Sequence, residues 1–125
     1  MSDKEKKTEA EAPPVKKDLA SLPPILEVRD LRKHFPVYGG VFRKQVATIK
    51  AVDGVSFVMK DGETLGLVGE SGCGKSTTGR CIISLYPPTT GEIILHSKEH
   101  GEVDMAFMDR DAMRPYRKEI QMIFQ

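Results

Sequence analysis

The chain has 125 residues, 39% of them hydrophobic, enough for one modest core and so for one domain or less. No apolar run approaches the ~20 residues of a membrane-spanning helix, and the first residues hold no apolar core of the kind a secretory signal carries. A net charge of +1, from 19 Lys and Arg against 18 Asp and Glu, argues against a general affinity for nucleic acid.

Residues 1–24 contain five lysines, five acids and the pairs Pro13-Pro14 and Pro23-Pro24, with almost nothing apolar to bury. They read as a disordered, neutral tail without the polybasic character that anchors a segment to anionic lipid. The ordered part, 25–125, opens with Ile25 to Leu31, where apolar and charged residues alternate from Leu26 as in a half-buried strand. Phe35 follows closely. Val37 to Lys50, with Gly39-Gly40 and Arg43-Lys44, reads as a loop or loose hairpin. Arg29 to Lys50 carries six basic residues and one acid, which could touch RNA or a membrane surface, but a solvated face explains them with less because no interleaved aromatic platform or basic helix accompanies them.

Val55 to Met59 is a further strand, Asp61-Gly62 a turn, and Thr64 to Val68 an apolar run suited to a buried parallel strand near its predecessor. Then come Gly69, Glu70, Ser71, Gly72, Cys73, Gly74, Lys75, Ser76 and Thr77, which match the phosphate-loop pattern G-x-x-x-x-G-K-[S/T]. A loop around a polyphosphate turns its N-H groups inward, and Gly69, Gly72 and Gly74 supply the dihedral freedom. The pattern runs into a helix expected over Lys75 to Tyr86, whose first N-H groups and dipole favour an anion. Lys75 can reach the β- and γ-phosphates, Ser76 can set its hydroxyl on Mg²⁺, and Thr77 lies near the α-phosphate.

Pro87-Pro88 stops the helix, and Thr89-Thr90-Gly91 turns the chain into a strand over Glu92 to His96. Ser97 to Gly101 is a polar connection. Asp109 to Glu119 is expected to form a short helix with Asp109 or Asp111 near its start and Pro115 inside it. Glu119 to Gln125 reads as a strand with Ile120, Met122 and Phe124 on one face. A strand with unpaired backbone groups is a poor place to finish a domain, so the chain reads as a fragment.

Several other groups have ordinary explanations. Met105 to Asp109 imitates an apolar strand ending in an Mg²⁺-holding Asp, but Asp109 as the cap of the following helix explains it with less. His96 and His100 read as exposed turn histidines, His34 as a border of the nucleotide pocket, and Cys73 and Cys81 as reduced thiols without metal spacing. Phe35 suits either stacking on a flat base or closing the end of the first strand, with Tyr38 its competitor.

The loop, together with Ala51-Val52-Asp53-Gly54-Val55-Ser56-Phe57 and Gly62-Glu63-Thr64-Leu65-Gly66-Leu67-Val68, resembles the ATPase subunit of an ATP-binding cassette (ABC) transporter. Leu26 to Leu31, His34-Phe35-Pro36, Arg114 to Lys118 and Gln121 to Gln125 narrow the likeness to the oligopeptide and dipeptide importer branch. It runs from about Ile25 to the last residue. The resemblance implies an α/β P-loop fold: an antiparallel β subdomain plus the start of a parallel core sheet, incomplete here. It also implies that Gly69 to Thr77 are the Walker A loop, that Phe35 stacks on adenine, and that Gln125 touches Mg²⁺ and the attacking water. The implied ligands are ATP and Mg²⁺. The implied partners are integral membrane permease subunits and a second ATPase subunit, on the inner face of the cell membrane, with no nucleic acid.

No Leu-Ser-Gly-Gly-Gln signature, no Walker B strand with its glutamate and no switch histidine occurs in the 125 residues. The expectation is therefore weak ATP-Mg²⁺ binding and negligible turnover. Two alternatives remain: a small self-contained P-loop NTPase or kinase using Asp109 for Mg²⁺, and a truncated binding module that does no chemistry.

Overall fold

The computed structural model describes residues 20–68 and 74–124. Four antiparallel strands make one sheet: β1 (Pro24–Gly39), β2 (Lys44–Lys60), β3 (Thr90–Ser97) and β4 (Gly101–Asp104), in the order β2-β1-β3-β4. Helix α1 (Lys75–Ile82) connects β2 to β3, and α2 (Arg110–Met113) with a 3-10 turn (Arg114–Tyr116) follows β4.

Alternation sets the buried face of β1, and a bulge resets it. Leu26 and Val28 point inward, opposite Leu95 and Ile93 of β3. Strict alternation would next bury Asp30. Instead the register slips between Val28 and Leu31 and Asp30 takes φ 43°, so Leu31 is the buried residue and Asp30 stays at the surface. The Asp30 N–H donates to Ser56 Oγ at 2.8 Å, which holds the bulge against β2. On the outer face Glu27 accepts from Arg29 at 2.7 Å and lies 2.8 Å from His96 Nε2, so the guanidinium first and the imidazole second hold its carboxyl below the usual range.

The core joins Leu26, Val28, Leu31, Val52, Ile93 and Leu95 of the sheet to Cys81 of α1, Met105 and Ala106 after β4, and Met113 of α2. Burial pushes the Cys81 thiol up, as expected of an inert core cysteine. The turn after β3 is knitted to the chain beyond the 3-10 turn. Buried Ser97 donates to Glu119 Oε1 at 2.7 Å and accepts from the N–H of His100 at 3.0 Å, while the His100 ring meets Tyr116 edge-on at 5.2 Å.

Three expectations are corrected. Thr64 to Val68 is no strand: it runs irregularly after the Asp61-Gly62 turn, with Val68 93% exposed. Residues 119–124 also form no strand, and Ile123 is 94% exposed. A parallel strand is held by neighbouring strands, and among the described residues no strand pairs with either segment, so the antiparallel subdomain is formed and those residues contain no parallel pair. The helix stops at Ile82 rather than Tyr86. Ser84 takes φ 61° and the N–H groups of Leu85 and Ser84 close back on the carbonyls of Arg80 and Cys81, the capping pattern that ends a helix before a proline is needed.

Candidate functional site

Gly74 opens α1 in a left-handed conformation, φ 91° and ψ 7°, and a Cβ there would run into the backbone carbonyl of Ala51 on β2. Only glycine fits both demands, so the start of α1 is pressed onto the sheet. The helix is tightened at once by Thr78, whose N–H and hydroxyl both donate to the Gly74 carbonyl at 2.8 Å. No acidic residue occupies the first turn to compete for an anion there.

Lys75 and Ser76 are exposed on that first turn, and Thr77 is half-buried behind them. Lys75, Ser76 and Arg80 form one wall of an open hollow whose other wall is Met122, Ile123 and Phe124. The chain leading to Gln125 thus passes over the helix, close enough that the Met122 methyl sits 3.4 Å from where a Gly79 Cβ would be. Gly69, Ser71, Gly72, Cys73 and Gln125 lie outside the described residues.

Phe35 is half-buried on β1 and does not line that hollow. Its ring meets Tyr86 edge-on at 6.0 Å, and the Arg80 guanidinium lies 5.9 Å from the Tyr86 ring, so Phe35 connects to the Lys75 side through Tyr86 and Arg80. Lys33 stands over the Phe35 ring at 5.0 Å while donating to the Pro87 carbonyl at 2.7 Å. The link to Tyr86 was not foreseen in the sequence, where only the following proline pair marks that position. Tyr38, the other candidate aromatic, is exposed further along β1.

His34 donates its backbone N–H to Thr89 Oγ1 at 2.9 Å and sets Nε2 3.1 Å from Asp53, and that hydrogen bond is the first cause of the lowered Asp53 pKa. Its partners are residues of the sheet and the turn before β3. His96 and His100 are separately engaged, with Glu27 and Tyr116. Asp109 accepts from the Ala112 N–H at 2.8 Å as the N-cap of α2, the ordinary role expected for it. Met105 to Met108 form a turn rather than a strand, with Met105 and Ala106 buried and Phe107 exposed, secured by Asp104 accepting from the N–H groups of Ile93 and Ala106.

The family model described as ABC transporter matches residues 52–125. The oligopeptide transport ATP-binding protein AppF of Bacillus subtilis is 52% identical over 102 residues, which are 81% of this chain and 30% of that protein. The dipeptide transport ATP-binding protein DppF of Escherichia coli is 43% identical over 102 residues, 82% of this chain and 29% of its own. Among solved structures, the ATP-binding cassette MJ0796, a dimer in a post-hydrolysis state bound to ADP and Pi, matches with a TM-score of 0.59 at 26% identity, over 75% of this chain and 35% of that one. The chain therefore spans about 30% of the length of the curated relatives it matches.

Proposed function

The chain belongs to the ABC transporter family, with its likeness in the oligopeptide and dipeptide branch, and on that premise we propose that it is the nucleotide-holding part of an ATPase subunit powering peptide uptake. The observation that carries this is the hollow in which Lys75 and Ser76, at the start of a glycine-capped helix, face the segment leading to Gln125.

In this proposal the amides of Gly69 to Thr77 and the α1 dipole hold the phosphates, and the Lys75 ammonium meets the β- and γ-oxygens. Ser76, through its hydroxyl, and Gln125 would hold Mg²⁺. When bound, that ion would supply charge neutralisation at the phosphates. Phe35 stacks on adenine by the ring face opposite Lys33, or after Lys33 swings away. Membrane permease subunits and a second ATPase subunit complete the assembly at the inner face of the cell membrane. Support for the substrate class comes from the peptide-transport names of the relatives.

Because the 125 residues hold neither the signature run nor an Asp-Glu pair after an apolar strand, they should retain ATP without consuming it. With γ-labelled ATP, release of labelled phosphate should stay at the level of buffer alone. Steady release that disappears in Lys75→Ala would overturn this and favour a self-contained P-loop enzyme.

A further inference from the structure

β1 and β2 continue beyond the rest of the sheet as a two-stranded arm. β3 leaves β1 at the pair Arg32 and Thr90, whereas β1 and β2 stay paired from Lys33 opposite Val52 to Gly39 opposite Lys44. At ~3.3 Å per residue the tip stands about 20 Å past the last pairing with β3. The turn is fixed by Gly40 at φ 79° and Arg43 at φ 47°, with the Arg43 N–H donating to the Gly40 carbonyl at 3.3 Å.

That tip is apolar and cationic together. Val41 and Phe42 are 94% and 85% exposed, and Tyr38 and Val46 beside them are open as well. Single exposed apolar side chains are ordinary, but four at one projecting tip are a patch. Residues 33–50 carry Lys33, Arg43, Lys44 and Lys50 with no Asp or Glu, so in a chain of net charge +1 the remainder is net negative. Among the described residues no acid forms a salt bridge with Arg43 or Lys44.

We propose that this arm is a contact for an anionic lipid surface, with Val41 and Phe42 entering the headgroup boundary and Arg43 and Lys44 meeting lipid phosphates. Four tip side chains are few against the roughly 20–30 residues a side that a standard protein interface engages. Interfacial anchoring asks only for a few apolar side chains beside cations, which this tip provides. Of the charge that composition alone assigns to a solvated face, the fold sets Arg43 and Lys44 at the tip beside Val41 and Phe42.

The contact is independent of the nucleotide proposal and is tested apart from it. The chain has no tryptophan, so Phe42→Trp makes a single reporter at the tip. Its emission should shift to the blue with vesicles of phosphatidylcholine containing about a third phosphatidylglycerol, stay put with phosphatidylcholine alone, and return on adding ~0.5 M salt. In sedimentation with the anionic vesicles, Val41→Ser with Phe42→Ser should weaken binding about tenfold, and Arg43→Glu with Lys44→Glu should abolish it. These positions are exposed, so thermal midpoints should match the parent, and Lys75→Ala should bind vesicles normally. Equal partition to neutral and anionic vesicles, or no blue shift with the anionic ones, would overturn the proposal. So would arm variants that change only co-purification with integral membrane subunits, which would make the arm a protein contact.

Discussion

Replacing Lys75 by alanine is expected to lower the affinity for Mg²⁺-ATP about ten- to a hundred-fold while leaving the melting temperature almost unchanged. The size follows from a charge-assisted contact of about 1.5–3 kcal/mol, with a factor of ten for each ~1.4 kcal/mol. Stability is spared because Lys75 is exposed on the first turn of α1 and alanine is a good helix former. Equilibrium titration with a fluorescent ATP analogue measures both the parent and the variant. Asp109→Asn belongs in the same series, since it keeps an N-cap acceptor for Ala112 while removing the charge. It should leave affinity where it was. A large loss there would show Asp109 holding Mg²⁺, as in the self-contained P-loop alternative.

The largest expected effect on folding is at Gly91, where alanine should remove the cooperative thermal transition. Gly91 sits at the start of β3 with φ 112°, and a Cβ would lie 2.7 Å from both the Asp30 carbonyl oxygen and Leu31 Cα. Both neighbours are backbone atoms of the β1 bulge, so relief requires moving the strand that carries Leu31 into the core. Strain of about 1–3 kcal/mol from the dihedral adds to that clash, against a total stability of ~5–15 kcal/mol for a domain. Gly101→Ala is the control: it also has positive φ, 76°, but its Cβ meets nothing within 4 Å, so only the backbone cost remains. Far-UV circular dichroism against temperature should show a modest shift for Gly101→Ala and no transition for Gly91→Ala. Similar small shifts in both would mean that the bulge yields easily.

These two positions also mark what could be read from the residues alone. Gly74 and the start of α1 were legible because the phosphate-loop spacing, the glycines and the following helix make one local pattern. Gly91 was legible only as a turn signal; its tight seat on Arg29 to Leu31 is a non-local fact. The alternation of Leu26 and Val28 gave the inward face of β1, yet the bulge is visible only in the change of parity at Leu31. Thr64 to Val68 and residues 119–124 show the limit most clearly. An apolar run says that a segment seeks burial, but a parallel strand also needs a neighbour that its own sequence does not name. The arm was legible in part: Val37 to Lys50 reads as a loop or loose hairpin, and the pairing that runs out to Gly39 and Lys44 selects the hairpin, whose length the glycines and charge do not reveal.

Whether the segment around Gly69 to Thr77 holds Mg²⁺-ATP is read most directly by amide hydrogen exchange with and without the nucleotide, at the residues concerned. Saturating Mg²⁺-ATP should slow exchange through 69–78 and leave the arm at 38–46 as it was, with the protection absent in Lys75→Ala. Protection confined to other parts of the chain, or none at nucleotide concentrations that saturate the titration, would contradict it.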